Sequence, residues 1–131
     1  MFFLIPIIIV ARQSTENNEE NSAKPGLLVN VKGDLDFNEL IDQISKIVGF
    51  LLTAKNEIPT NGGGRFITGV DSGNVYAFYY HPSKRHRVSC RPGHGQRIQP
   101  KDPVWFEANE WAYVILKSAW YGGNRCWYDD E

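Results

Sequence analysis

Asn74-Val75-Tyr76-Ala77-Phe78-Tyr79-Tyr80 is the stretch on which the fold turns. It is rich in aromatic residues and follows Asp71-Ser72-Gly73, a hairpin-type turn. Aromatic and β-branched side chains suit a pleated, packed surface. Alternation with period two places Val75, Ala77 and Tyr79 on one face, and Tyr76, Phe78 and Tyr80 on the other. Both faces carry aromatics, so one side is packed and the other is used or covered.

Working outward, short β-prone runs recur between turn residues. They are Arg65–Val70, Asn74–His81, His86–Cys90, Val104–Phe106, Trp111–Lys117 and Arg125–Tyr128, with turns at Asp71-Ser72-Gly73 and Gly122-Gly123-Asn124. Gly62-Gly63-Gly64 is a flexible break before the first of them. Regular short strands predict a mainly β fold, a small antiparallel β-sandwich or barrel, over residues 62–131. A unit of about 70 residues is near the size at which a core alone is marginal, so help from a disulfide or a partner is expected.

The rest of the chain divides by composition. Residues 1–11 include a charge-free apolar run, Phe2 to Ala11, with the length of a secretory h-region and no basic residue before it. A buried strand is the alternative for this β-branched run, although Pro6 argues against a central one. Length and composition favour the signal. Residues 12–61 hold five Lys/Arg and eight Asp/Glu and read as an acidic linker plus one helix. Gln13 to Asn21 has no period and little to bury, and Gly26 to Val31 is a candidate short strand.

The helix is predicted over 36–55. Phe37, Leu40, Ile41, Ile44, Ile47, Val48, Leu51 and Leu52 recur with a 3.6-residue period. Asp36 and Glu39 resemble a capping box, and Pro59 lies beyond the stop. The simplest role is to cover a face of the β domain. A pro-segment or an immunity-like cap is the functional alternative. Its polar face lacks a Lys/Arg stripe, which disfavours membrane binding.

The whole chain has 131 residues and a formal net charge of -1, so nothing global points to nucleic acid. No apolar run is long enough to span a bilayer. Charge is nevertheless polarised. Residues 65–101 carry seven basic side chains against Asp71, and residues 102–131 carry six acidic ones against Lys117 and Arg125. The two stretches are complementary, within one chain or across a dimer.

Cys90 and Cys126, in a chain with a signal-like start, suggest one disulfide. His81, His86, Cys90 and His94 have spacings within the zinc-ligand range but match no finger or ribbon pattern. No metal and no other cofactor is expected. Tyr79, Tyr80, His81, Lys84, Arg85, His86 and Arg87 form a basic, aromatic run. It reads as a solvated face, a phosphate or pyrophosphate site, or an acid–base site acting on RNA. No acidic residue lies near enough in the sequence to complete a catalytic set, so no enzyme is expected. The four Trp residues, Trp105, Trp111, Trp120 and Trp127, read as core or sheet-face packing rather than ligand platforms.

Three blocks carry a resemblance. They are Gly62-Gly63-Gly64, then Gly69-Val70-Asp71-Ser72-Gly73-Asn74-Val75-Tyr76, then Tyr79-Tyr80-His81-Pro82-Ser83-Lys84-Arg85-His86. With Trp111-Ala112, Gly123-Asn124-Arg125 and Tyr128, they resemble the lactococcin 972 family of bacteriocins over residues 63–128. The resemblance implies a small secreted antibacterial protein with a β-sandwich fold. It also implies binding of the cell-wall precursor lipid II, a block on septum formation, and a homodimer. It supplies no residue roles. The chain departs from the pattern at Phe66, where Trp is common, and at Arg87-Val88-Ser89-Cys90, where a Ser-rich stretch is usual. Residues 12–61 have no counterpart in a minimal member.

The combined expectation is a bacteriocin whose seven-residue patch engages lipid II, with an immunity protein as a further partner and no nucleic acid. Two other functions compete. One is a secreted nuclease or nucleic-acid-binding toxin using His81 and His86. The other is a secreted binding module without toxicity.

Overall fold

The computed structural model describes residues 2–5, 27–53, 57–91, 104–118 and 123–131. Residues 12–26 of the linker, the end of the apolar run, His94, Trp120 and Gly122 lie outside the described residues. The strands are β1 (Phe2–Ile5), β2 (Ile58–Thr60), β3 (Gly64–Asp71), β4 (Asn74–Tyr80), β5 (His86–Arg91), β6 (Trp111–Lys117) and β7 (Arg125–Asp130). They form two antiparallel sheets, ordered β2-β3-β4-β6 and β1-β7-β5. The expected mainly β, two-sheet fold is observed, without a closed barrel.

The hairpin of β3 and β4 is the frame. Asp71 pairs with Asn74, so Ser72 and Gly73 alone make the loop. Their φ values of 53° and 77° are both positive, the condition for the hairpin turn that matches strand twist. β6 then pairs with β4 from Asn74–Lys117 to Tyr80–Trp111. Directly opposed residues share a face, so Tyr79, Ala112 and Phe66 lie on one side of this sheet. That side meets the second sheet: the Tyr79 ring is 4.8 Å from Tyr128 and 5.3 Å from His86.

The other side is closed by the N-terminal half. Helix α1 spans Phe37–Val48, with Asp36 Oδ1 accepting the Glu39 N–H at 2.9 Å. Leu40 and Ile44, one turn apart, are fully buried. Phe50 packs on Tyr76, and a Cβ at Gly33 would overlap the Tyr80 ring. Arg65 locks this layer down. It makes a two-pronged bond to Glu57 at 2.7 and 2.8 Å and donates to the carbonyls of Gly33 and Leu35. The glutamate pair raises its pKa above the ordinary arginine value. Leu28, Val31, Leu40, Ile44 and Leu52 thus belong to the same buried cluster as Phe66, Phe78 and Tyr113. The order is helix, four-stranded sheet, three-stranded sheet. The covered alternative for the second aromatic face of β4 is the one observed, with the helix packed into the same buried cluster.

Three expectations need correction. The helix ends at Val48 rather than Lys55, because Gly49 adopts φ 88° and donates back to Ser45. Residues 27–30 form a turn closed by Val31 N–H to Leu28 O at 3.0 Å, not a strand; the turn sets both Leu28 and Val31 inward. Val104–Phe106 contributes only a single bridge, Phe106 to His86. At the head of the apolar run, Phe2–Ile5 pair with β7 from Asp129 to Cys126. Among the described residues no helix is long and apolar enough to cross a membrane.

Candidate functional site: an arginine and tryptophan surface

The residues from Tyr79 to Arg87 divide between interior and surface. Tyr79, His81 and His86 are fully buried. Tyr79 donates to Asp130 Oδ2 at 2.7 Å and lies 3.2 Å from the Thr60 hydroxyl. Burial, with the nearby Asp130 carboxylate, pushes its pKa above the ordinary phenol value. It remains a neutral donor.

The two histidines are structural. His81 Nδ1 accepts the backbone N–H groups of Ser83 and Lys84, both at 3.1 Å. Its Nε2 must therefore carry the proton, which it donates to Asn61 O at 3.0 Å. This ring holds the Pro82-Ser83-Lys84 turn. His86 sits between two carbonyls, with Nδ1 2.8 Å from Lys84 O and Nε2 2.7 Å from Glu110 O. Burial lowers its pKa from the ordinary histidine value, and the two carbonyls pull the other way. Neither ring presents a nitrogen to solvent, so neither is placed for acid–base chemistry on a substrate.

The surface follows from strand alternation. His86 points in, so Arg87 points out, and Arg85, at the end of the preceding turn, is exposed beside it. Phe106 pairs with His86 and is buried, so Trp105 points out beside them. The Trp105 ring lies 4.9 Å from the Arg85 guanidinium and 4.3 Å from that of Arg87. On the other flank, β7 sets Asp129 opposite Arg87. Arg87 contacts Asp129 at 3.0 Å, and Arg85 contacts Glu131 at 3.0 Å and Glu107 at 3.8 Å. Lys84 Nζ lies 3.6 Å from Asp130. The basic and acidic stretches therefore pair within one chain.

Tyr80 is parted from this group. It lies on the opposite face of β4, its ring 5.3 Å from Trp111 and its hydroxyl donating to Asn109 at 2.7 Å. Lys84, Arg85 and Arg87 are the three predicted residues brought to one surface. The sequence marks the 102–131 stretch as complementary to the basic run but singles out neither Trp105 nor Glu107, Asp129, Asp130 and Glu131 for this surface. The opposite charge of the C-terminal stretch was the available clue. Cys90 and Cys126 are directly opposed across β5 and β7, buried, with Sγ atoms 2.6 Å apart.

A sequence model of the lactococcin 972 bacteriocins matches residues 62–128. The chain belongs to the lactococcin 972 bacteriocin family. The match begins at the glycine run and ends at Tyr128, so β3 to β6 and the first four residues of β7 lie within it, and Asp129 and Asp130 do not. No curated protein and no solved structure matches the chain. Membership in the lactococcin 972 family supports a secreted antibacterial protein. Helix α1 and the loop before it stand outside the matched residues.

Proposed function

We propose that this lactococcin 972 family member is a secreted antibacterial protein that binds lipid II and blocks septum formation without catalysis. The observation that carries the proposal is the Trp105 indole with the Arg85 and Arg87 guanidiniums both over its ring at the surface. Lipid II offers a pyrophosphate to guanidinium groups and sugars and a peptide to an aromatic face. Arg85 is the residue best placed to exchange partners. It is 43% exposed and its partner carboxylates are 72% and 50% exposed. Such exposed pairs contribute about 0–1 kcal/mol. A pyrophosphate can replace them at little cost. Arg87, less exposed, holds Trp105 in place.

Residues 1–11 serve as the export leader in this reading. Their removal takes β1 from the edge of β7. The remaining partners are an immunity protein in the producing cell and a second copy of the chain; nucleic acid is not among them. A Cys90–Cys126 disulfide fits export. Directly opposed antiparallel residues have Cα atoms about 4.5–5.5 Å apart, within the disulfide range. Intact mass of secreted protein should fall two hydrogens short of the dithiol; a full-mass product that alkylates at both thiols would remove the disulfide.

The functional test is antagonism. Purified protein is added to a sensitive culture with or without vesicles containing lipid II. Lipid II vesicles should restore growth and septa, and plain vesicles should not. Equal killing under both conditions would overturn the assignment of the target.

A further inference from the structure

A shallow, largely open cleft of about 510 Å³ lies between residues 29–34 and the Tyr80–Asn109 pair. Both walls are fixed by hydrogen bonds. Arg65 holds the carbonyls of Gly33 and Leu35 at 2.8 and 2.6 Å, and Gly33 lies directly against the Tyr80 ring. Opposite, Asn109 donates its backbone N–H to His81 O at 2.7 Å and accepts the Tyr80 hydroxyl. Its side-chain NH₂ is left to donate.

The lining selects a ligand class. Lys32 and Asp34 cancel in charge, so the cleft has no net attraction for an ion. Asn30 and Asn109 supply amide donors and acceptors, and Tyr80 a hydroxyl. Val29, 70% exposed, offers an apolar contact at the rim. Such a set matches a neutral ligand bearing hydroxyls, an amide and a methyl group. The volume lies in the lower half of the small-molecule range of about 300–1,000 Å³. We infer that this cleft binds a short chain of N-acetylated amino sugars. One wall lies outside residues 62–128, so the site is an addition to the family domain. It stands apart from the Arg85 surface and does not depend on lipid II being the target.

The test is a titration of the ¹⁵N-labelled full chain with chitotriose, with maltotriose as the control lacking acetamido groups. Saturable shifts are expected at residues 29–34, Tyr80 and Asn109, with a dissociation constant of about 1 mM. Maltotriose should bind more weakly. Asn30→Ala, an exposed change that leaves the fold intact, should weaken chitotriose by about tenfold, the loss of one good hydrogen bond. Absence of saturable shifts up to about 20 mM would overturn the inference. So would shifts centred on Trp105 and Arg85, equal binding of maltotriose, or unchanged affinity in Asn30→Ala.

Discussion

Arg85 and Glu131 pose the sharpest question at the scale of single residues. If Glu131 occupies the place of a ligand phosphate, Glu131→Gln should tighten lipid II binding by about two- to fivefold, the worth of an exposed ion pair. Isothermal titration of the two proteins measures this; weaker binding by the variant would show that the carboxylate belongs to the site. His86 sets a pH dependence. Its folded pKa lies below the ordinary value, so the unfolded chain binds the proton more readily. The stability that neutral His86 contributes is fully present above about pH 6.5 and is lost as pH drops through that value toward the lowered one. Urea unfolding at pH 7.5 and 5.5 should show this loss in the native protein and much less of it in His86→Gln. An unchanged pH slope in that variant would assign the effect elsewhere. Sequence showed that these residues cluster along the chain but not which of them point inward. Tyr79 and His81 are buried at odd positions, and His86 at an even one. The turn over residues 82–85 resets the alternation, and a period-two reading cannot cross it.

At the scale of elements, helix α1 was legible in its start and face and illegible in its end. Asp36 caps as its residue type demands, and Leu40 and Ile44 lie at the centre of the apolar stripe. Leu51 and Leu52 continue the spacing past the true end, so periodicity alone extends the helix. The left-handed Gly49 stops it. Leu52 is still buried, and Leu51 is 69% exposed. The packing predicts that Leu40→Ala costs about 2–5 kcal/mol, the range for a buried leucine. Chemical denaturation of the full chain checks it. A loss below about 0.5 kcal/mol, as expected of a surface position, would mean that the helix does not pack as described.

At the scale of the molecule, two halves of different composition share one buried cluster. A β unit near the lower size limit called for outside help, and the N-terminal segment supplies a third layer over Tyr76, Phe78 and Tyr80. The strands were legible because turns and alternation are local properties. The pairing of the helix layer with that face was not, since Arg65 meets Gly33 and Leu35 across some thirty residues. Basic and acidic stretches likewise cancel only after folding, so a run that reads as a free cationic patch becomes a row of ion pairs. With a net charge of -1, affinity for an anionic lipid must come from local contacts rather than long-range attraction. The most direct measurement is a titration of the purified full chain with lipid II, read by Trp fluorescence, alongside the Arg85→Ala, Arg87→Ala double variant. Saturable binding that pyrophosphate competes away, and that the double variant loses by at least about tenfold, for the charge-assisted hydrogen bonds of Arg85 and the support that Arg87 gives Trp105, is the predicted result. A flat titration of the folded protein, or equal binding by the double variant, would contradict it.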